Sequence, residues 1–343
     1  MSITIKEIAE ILGISQATVS LALNDKKGVN KNTSKSVLEI AEKYGYTKRG
    51  MQVLNKNILL IKYLESGIAI EQNGDFVSRL VDAIENTASE LGYNLIIKNL
   101  TDKSVSQVYD LLKGETYQGC VVLATEILEF EASFIEKIKI PVVCVDNMIE
   151  YYDIDCVVMD NRSGIFNAAK YLYEIGHRKI GYIDSTIRLS NFVQRSEGYY
   201  NALKKLGIEI DEKYVFEVYP SIKGTYSGVL KKLGDAMIVD YDKLPTAFIA
   251  GNDSLAIGAI KAFREKGIKI PDDMSIVGFD DIPSGQVLEK SLTTMRVDKR
   301  QIGETAMRRL DYKIKKGTAK DGAIKTLSRT KLIVRETTKE PRK

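Results

Sequence analysis

Apolar residues in the first forty positions recur at helical spacing. In "TIKEIAEIL", which starts at Thr4, the residues Ile5, Ile8, Ala9, Ile11 and Leu12 recur at helical intervals. Glu7 follows Thr4 by three positions, the spacing of a capping box. Gly13 ends this first helix. Ser15 caps a second, "SQATVSLALN", whose inward positions are Ala17 or Thr18, Val19, Ala22 and Leu23. Asn30 caps a third helix from about Lys31 to Lys43, with Val37, Leu38, Ile40 and Ala41 to close a three-helix core. Two short helices joined by three or four residues, with small Ala9 at the crossing and Gly13 free to take positive φ, predict a helix-turn-helix.

Beyond residue 57 the pattern changes. Near-continuous apolar runs ("NILLIKYL", "NLIIKNL", "GCVVLAT", "IPVVCVD", "CVVMD", "KIGYID", "TAFIAGN", "SIVGFDD") alternate with helical stretches such as "FVSRLVDAIENTASELG", "GIFNAAKYLYEIG", "GYYNALKKLG" and "LAIGAIKAFREKG". Runs of this kind suit strands buried on both faces, so the body is α/β, with parallel sheets covered by helices on each side. Several helices run into a Gly just before the next strand, the expected C-cap. The stretch is too long for one sheet of this type, and it reads as two similar halves joined near Asp160.

Charge changes the picture once it is located. The 343 residues carry a net charge of +4, and residues 1–56 alone hold nine Lys/Arg against five acids, so the whole excess sits there and the rest sums to zero. A basic module on a neutral body points to a polyanionic partner, double-stranded DNA. A recognition helix presses its N-terminal turn into the major groove. Short side chains at that point let the backbone approach, and Gln16 can reach a base edge. Ser15, Thr18, Ser20 and Asn24 are then spaced for phosphate oxygens, which fix register without reading sequence.

The body's chemistry is sought beyond the C-terminal ends of its strands, where open parallel sheets hold their ligands. Those positions carry Ser66, Asp146, Asp184, Ser185, Asn252, Asp253, Asp280 and Asp281. Carboxylates and amides ringing a cleft suit sugar hydroxyls, which both donate and accept. Asp253 and Asp281 are open between ligand contact and capping of the next helix. Enzyme motifs are missing: the 25 glycines contain no GxGxxG, and neither GxxxxGK[ST] nor GxSxG occurs. The single histidine, His177, lies in a helix-to-strand turn where capping or packing is the expected role. Cys120, Cys144 and Cys156 lack CxxC spacing and read as small buried residues, so neither disulfides, a metal nor a cofactor is expected. No apolar run reaches the roughly 18 residues of a membrane span, and the first residues carry charges where a signal peptide has its apolar core, so the protein is expected to stay in the cytoplasm. A carboxylate-only glycosidase, and a sugar-binding protein whose N-terminal helices make only protein contacts, stand as alternatives.

The headpiece segments "TIKEIAEILGISQATVSLALN" and "VNKNTSKSVLEIAEKYGY" resemble the LacI/GalR transcriptional regulators. The likeness continues through "ELGYNLII", "IPVVCVDN", "EIGHRKIGYI", "RSEGYYNAL", "FIAGNDSLAIGAIKAFREKGIKIPDDMSIVGFDDI" and "LTTMRVD". It implies a helix-turn-helix headpiece over 1–46, a hinge over 47–57, and a periplasmic-binding-protein-like effector domain. Of that domain, one subdomain takes 58–160 with 290–321 and the other 161–289 with 322–343, the last strand being "TLSRTKLIVRET". The resemblance implies a nucleoid-associated repressor of a carbohydrate-utilisation operon, with an activator or dual regulator as the alternative. Such a protein binds a pseudo-palindromic operator as a homodimer, or a higher assembly, under a small sugar-like effector. DNA contacts fall on Thr4, Ser15, Gln16, Ala17, Thr18, Ser20, Leu21, Asn24, Asn30, Thr33 and Leu54, the last as a minor-groove wedge. Effector contacts fall on Phe76 at the rim, Asp146, Asn191, Arg195, Asn252 and Asp280. Two departures from the family stand out: Leu21 where a larger polar residue is usual, and the hinge "TKRGMQVLN" without the usual Pro.

Overall fold

The computed structural model describes residues 3–23, 26, 28–44, 46, 56–64, 74–100, 108, 112, 117–234, 244–317 and 322–342. The chain divides into two units, residues 1–56 and 57–343. The first contains helices α1 (Ile5–Leu12), α2 (Gln16–Leu23) and α3 (Lys31–Lys43). Both arms of the capping box at Thr4 and Glu7 are formed, and Gly13 closes α1 in the left-handed region at φ 65°. The core is Ile8, Ala9, Val19, Ala22, Leu23, Val37 and Ala41. Leu38, expected inside, is 53% exposed, and Ile11 is 52% exposed. Each lies about 100° around its helix from the centre of the buried stripe, because one residue step turns that far. Thr18 is half-buried and Ala17 exposed, so the inward choice at that turn falls to Thr18.

The second unit holds two six-stranded sheets. Its main elements are β1 (Asn57–Tyr63), α4 (Gly74–Glu90), β2 (Asn94–Leu100), β3 (Gly119–Leu123), β4 (Val142–Val145), β5 (Asp155–Met159), α5 (Asn161–Glu174), β6 (Ile180–Ser185), α6 (Ser190–Leu206) and β7 (Val215–Val218). They continue with α7 (Ile222–Leu233), β8 (Ala247–Ala250), α8 (Asp253–Glu265), β9 (Ser275–Asp280), β10 (Thr293–Arg296), α9 (Lys299–Lys316), β11 (Lys325–Ser328) and β12 (Lys331–Ile333). The first sheet runs β11-β5-β4-β3-β1-β2 and the second β12-β10-β9-β8-β6-β7. All pairs are parallel except β10 with β12. Alternate residues of one strand feed different cores. Ile58 and Leu60 of β1 face the helices α4 and α9, while Leu59 and Ile61 join Cys120, Val122, Cys144 and Cys156 on the other face.

Among the described strands the chain passes between sheets three times. The first passage follows Met159, as expected near Asp160. The other two differ from the expected boundaries at 290 and 322. Strand β10 still belongs to the second sheet, so the return crossing lies between Arg296 and Lys299, and β11 belongs to the first, so the last crossing lies between Ser328 and Lys331. The stretch "TLSRTKLIVRET" is therefore two strands in two sheets rather than one. Its extended residues read as continuous because a crossing segment of two residues breaks no hydropathy pattern. His177 takes the packing role: Nδ1 lies 2.7 Å from Thr246 Oγ1, and Nε2 3.0 Å from the carbonyl of Lys339, which ties down the C-terminal segment.

Candidate DNA-reading helix and effector cleft

Helix α2 begins with Ser15 as its cap. The Ser15 hydroxyl accepts from the Thr18 amide at 3.1 Å and lies 2.8 Å from the Thr18 hydroxyl, so both expected phosphate contacts also stabilise the helix start. Gln16 and Ala17, in the first turn, are exposed, and Ser20 and Leu21 are half-buried. Asn30 Oδ1 accepts from the Asn32 amide at 2.9 Å, capping α3, and Thr33 is half-buried in the first turn of that helix. Thr4 is exposed at the start of α1 and holds Glu7. Asn24 and Leu54, together with the hinge from 47 to 55, lie outside the described residues.

In the second unit the strand-end rule brings two aspartates to one place. Asp146 follows β4 and Asp280 ends β9, so each belongs to a different sheet. Both are buried. Asn191, on the first turn of α6, donates from Nδ2 to Asp146 Oδ1 and to the Asp146 carbonyl, each at 3.0 Å. Asn161, the first residue of α5, donates to Asn191 Oδ1 at 2.9 Å and to Gln194 Oε1 at 3.0 Å. Arg195 completes the chain. Its Nε donates to Asn161 at 2.8 Å, Nη1 to the Gly251 carbonyl at 2.7 Å and Nη2 to Asp280 Oδ1 at 3.1 Å. The guanidinium stands 3.9 Å from the centroid of the Phe279 ring. On the far side of Asp146, Thr125 donates to Oδ2 at 2.5 Å. Side chains of both subdomains thus form one hydrogen-bonded line from Thr125 to Asp280, half-buried at Thr125 and Asn191 and buried elsewhere.

Electrostatics follow from that burial. Removal from water pushes Asp146 up to about 6 against the opposing hydrogen bond from Thr125, with the Asp280 charge adding to the rise. Burial likewise raises Asp280, although Arg195 and Lys299 stand close by. Asp253 is pushed up to about 8, first by burial and then by Asp280. Its carboxylate is occupied by the Thr294 hydroxyl at 2.6 Å and the Ile282 amide at 2.8 Å. Burial also acts on Asp281, but hydrogen bonds from Arg296 and Arg335 outweigh it and hold the carboxyl below its usual range. Neither Asp253 nor Asp281 caps a helix.

Other expected positions take different roles. Asn252 is the N-cap of α8, its Oδ1 accepting from the Leu255 amide at 2.9 Å, and its neighbour Gly251 supplies the carbonyl that Arg195 uses. Phe76 is buried on α4, not standing on an open rim, and the Lys299 ammonium sits 5.4 Å from its ring centroid. Asp184 pairs with Arg188 at 2.9 Å, and the Ser185 hydroxyl closes its own turn with Ile187. Ser66 lies outside the described residues. Thr125, Gln194 and Lys299 were not singled out by the sequence pattern. Asn161 follows β5 closely enough for the strand-end rule to have found it; Lys299 had no such signal. Among the described residues, no cluster of three or more His, Cys, Asp or Glu is arranged to hold a metal, and no helix is long and apolar enough to cross a membrane.

A chain of amides, carboxylates and one guanidinium, all sharing hydrogen bonds, is suited to exchanging partners with hydroxyl groups. The comparisons with known proteins agree. Residues 4–48 match the description "Bacterial regulatory proteins, lacI family", and residues 169–338 match "Periplasmic binding protein-like domain". The probable HTH-type transcriptional repressor ExuR of Bacillus subtilis is 30% identical over 97% of this chain and 98% of its own. The HTH-type transcriptional repressor CytR of Escherichia coli is 29% identical over 89% of this chain and 87% of its own. Among solved structures, the lac repressor dimer bound to operator and the anti-inducer ONPF superposes with a TM-score of 0.74 at 22% identity, covering 99% of this chain and 100% of that one. The transcriptional regulator CelR–cellobiose complex superposes with a TM-score of 0.72 at 22% identity over 98% and 99% of the two chains. The fold is that of these regulators, the relatives are transcriptional repressors and not enzymes, and the chain belongs to the lacI family of bacterial regulatory proteins.

Proposed function

We propose that this protein is an effector-controlled repressor of a carbohydrate-utilisation operon. The observation that carries the effector half of the reading is the hydrogen-bonded line Thr125–Asp146–Asn191–Asn161–Arg195–Asp280, which joins both subdomains through groups a sugar hydroxyl can replace one by one. Asp146, Asn191, Arg195 and Asp280 contact the effector directly. Asn252 supports them as the cap beside Gly251, and Phe76 offers an apolar face once the sugar enters. The similar CelR structure holds cellobiose, and another regulator of this fold, from Enterococcus faecium, holds ribose, which supports a small polyhydroxylated ligand here. Effector binding shifts DNA affinity by the difference in its affinity for the two subdomain arrangements, typically ~1–3 kcal/mol in such systems.

On the DNA side, Gln16 reads a base edge and Ala17 and Leu21 make apolar contacts. Thr4, Ser15, Thr18, Ser20, Asn24, Asn30 and Thr33 meet the backbone, and Leu54 enters the minor groove. Two headpieces of a homodimer read half-sites about one helical turn apart, since one headpiece makes few base contacts. The protein works in the cytoplasm, on the nucleoid. Sequencing the genomic fragments that the purified protein retains identifies operator and pathway together, and a retained set with no common pseudo-palindrome sinks this reading. Fluorescence anisotropy on that operator, with sugars of the adjoining operon, then tests the cleft. Asp280→Asn is expected to keep operator affinity and lose the sugar response; loss of folding makes Asp280 structural, and a normal response puts the effector elsewhere.

A further inference from the structure

Asp146 and Asp280 share a feature beyond their carboxylates. Neither is glycine, yet both have positive φ, 65° and 106°, a region that costs an L-residue and persists only where surrounding contacts hold it. The contacts are reciprocal. Each carboxylate has a donor in its own subdomain, Thr125 for Asp146 and Arg195 for Asp280, and Asn191 reaches the Asp146 carboxylate from the opposite one as well. Each main-chain carbonyl is gripped from the opposite subdomain. Asn191 of α6 donates to the Asp146 carbonyl at 3.0 Å, and Lys299 of α9 donates through Nζ to the Asp280 carbonyl.

Lys299 is out of place by ordinary helix rules. It is the first residue of α9, at the positive end of the helix dipole, and it is only 7% exposed. Burial lowers its pKa, with the Asp280, Asp253 and Asp281 charges pulling the other way. Its ammonium lies over Phe76 on one side and meets the second subdomain on the other. Nothing in its own helix favours a cation there. What holds it is the tie across the cleft.

The geometry points to Lys299 and Asn191 as a pair of positioning residues, reciprocal tethers that fix the separation of the two subdomains and the aim of Asp146 and Asp280. A carbonyl and a carboxylate on one strained residue cannot move independently, so a shift of the opposite subdomain turns the side chain that receives the effector. The inference rests on the effector reading only for this last consequence; the tethers themselves act without effector or DNA.

The test therefore uses the full chain with neither present. Nitroxide labels go on Ser89→Cys in α4 and Lys261→Cys in α8, both exposed positions, while Cys120, Cys144 and Cys156 are buried. Pulsed dipolar spectroscopy is expected to give one narrow distance distribution for the parent protein. Lys299→Met shifts it to longer and broader distances, and Lys299→Arg, which keeps the cation and donor, restores it. Asn191→Leu, removing the other tether, gives the same opening, and the double variant opens further than either. A distribution for Lys299→Met that superimposes on the parent overturns the inference. Should Lys299→Met fail to fold, Asn191→Leu carries the same decision, and an unchanged distribution there overturns it equally.

Discussion

Asp146 is held at about 6 rather than its ordinary 3.8, chiefly by burial. A carboxylate whose pKa is higher folded than unfolded adds stability that is complete below the unfolded value and disappears as pH rises through the folded one. Ionised Asp146 therefore weakens the fold between pH 4 and 6 and above, by about 1–3 kcal/mol for a shift of roughly two units. Asp146→Asn keeps an acceptor for Asn191 and a partner for Thr125 while removing the charge. Its melting temperature is expected above the parent's at pH 8, with the advantage gone by about pH 4. Parallel melting curves at every pH would falsify the dominance of burial. His177 works in the opposite sense: burial lowers its pKa from 6.5, so its contribution is present above that value and is lost as pH falls below it. Comparing variant with parent at each pH cancels this background. At this scale the sequence was legible where a strand end places a residue, as at Asp146 and Asp280. Lys299 was not, because its partner comes from another sheet and no spacing along the chain encodes a contact across a cleft.

Helices α1 and α2 were legible nearly residue by residue, because their ends carry chemistry of their own. Thr4 with Glu7 starts α1, and Gly13 at φ 65° stops it with its amide bonded back to Ala9 and Glu10. Gly13→Ala adds a Cβ in a left-handed turn and is expected to cost the headpiece about 1 kcal/mol. The loss should appear as weaker operator binding with no change in the melting of residues 57–343, which form a separate unit. Equal destabilisation of both units argues against that independence. Gln16, exposed in the first turn of α2, gives a second test. Gln16→Ala should cost on the order of 1–3 kcal/mol on the cognate operator and relax preference at one base pair in a selection over randomised half-sites. A uniform loss on all sequences makes it a phosphate contact instead. Strands β11 and β12 mark the limit of this kind of reading. Both are short and half-exposed at sheet edges, so hydropathy alone could not tell two strands in two sheets from one long strand.

The molecule as a whole separates charge from chemistry. All of its net +4 resides in residues 1–56, while the ligand-type network of buried amides and carboxylates is confined to a body whose charges cancel. That division explains why charge location and hydropathy period together revealed two modules, and why neither revealed the crossings between the sheets: the crossings are a matter of topology, with no composition of their own. It also sets a demanding expectation for DNA binding. If the basic module supplies the affinity by displacing counterions, a dimer making about 6–10 phosphate contacts must lose roughly 10³-fold or more in operator affinity between about 50 and 200 mM salt. The body alone, residues 57–343, is expected to show no operator binding at either salt, because it lacks the recognition helix and its positive and negative charges balance. Anisotropy titrations of both proteins on the same labelled operator decide the matter. A flat salt response in the full chain, or operator binding that survives removal of residues 1–56, would mean that the recognition helix is not what holds the DNA.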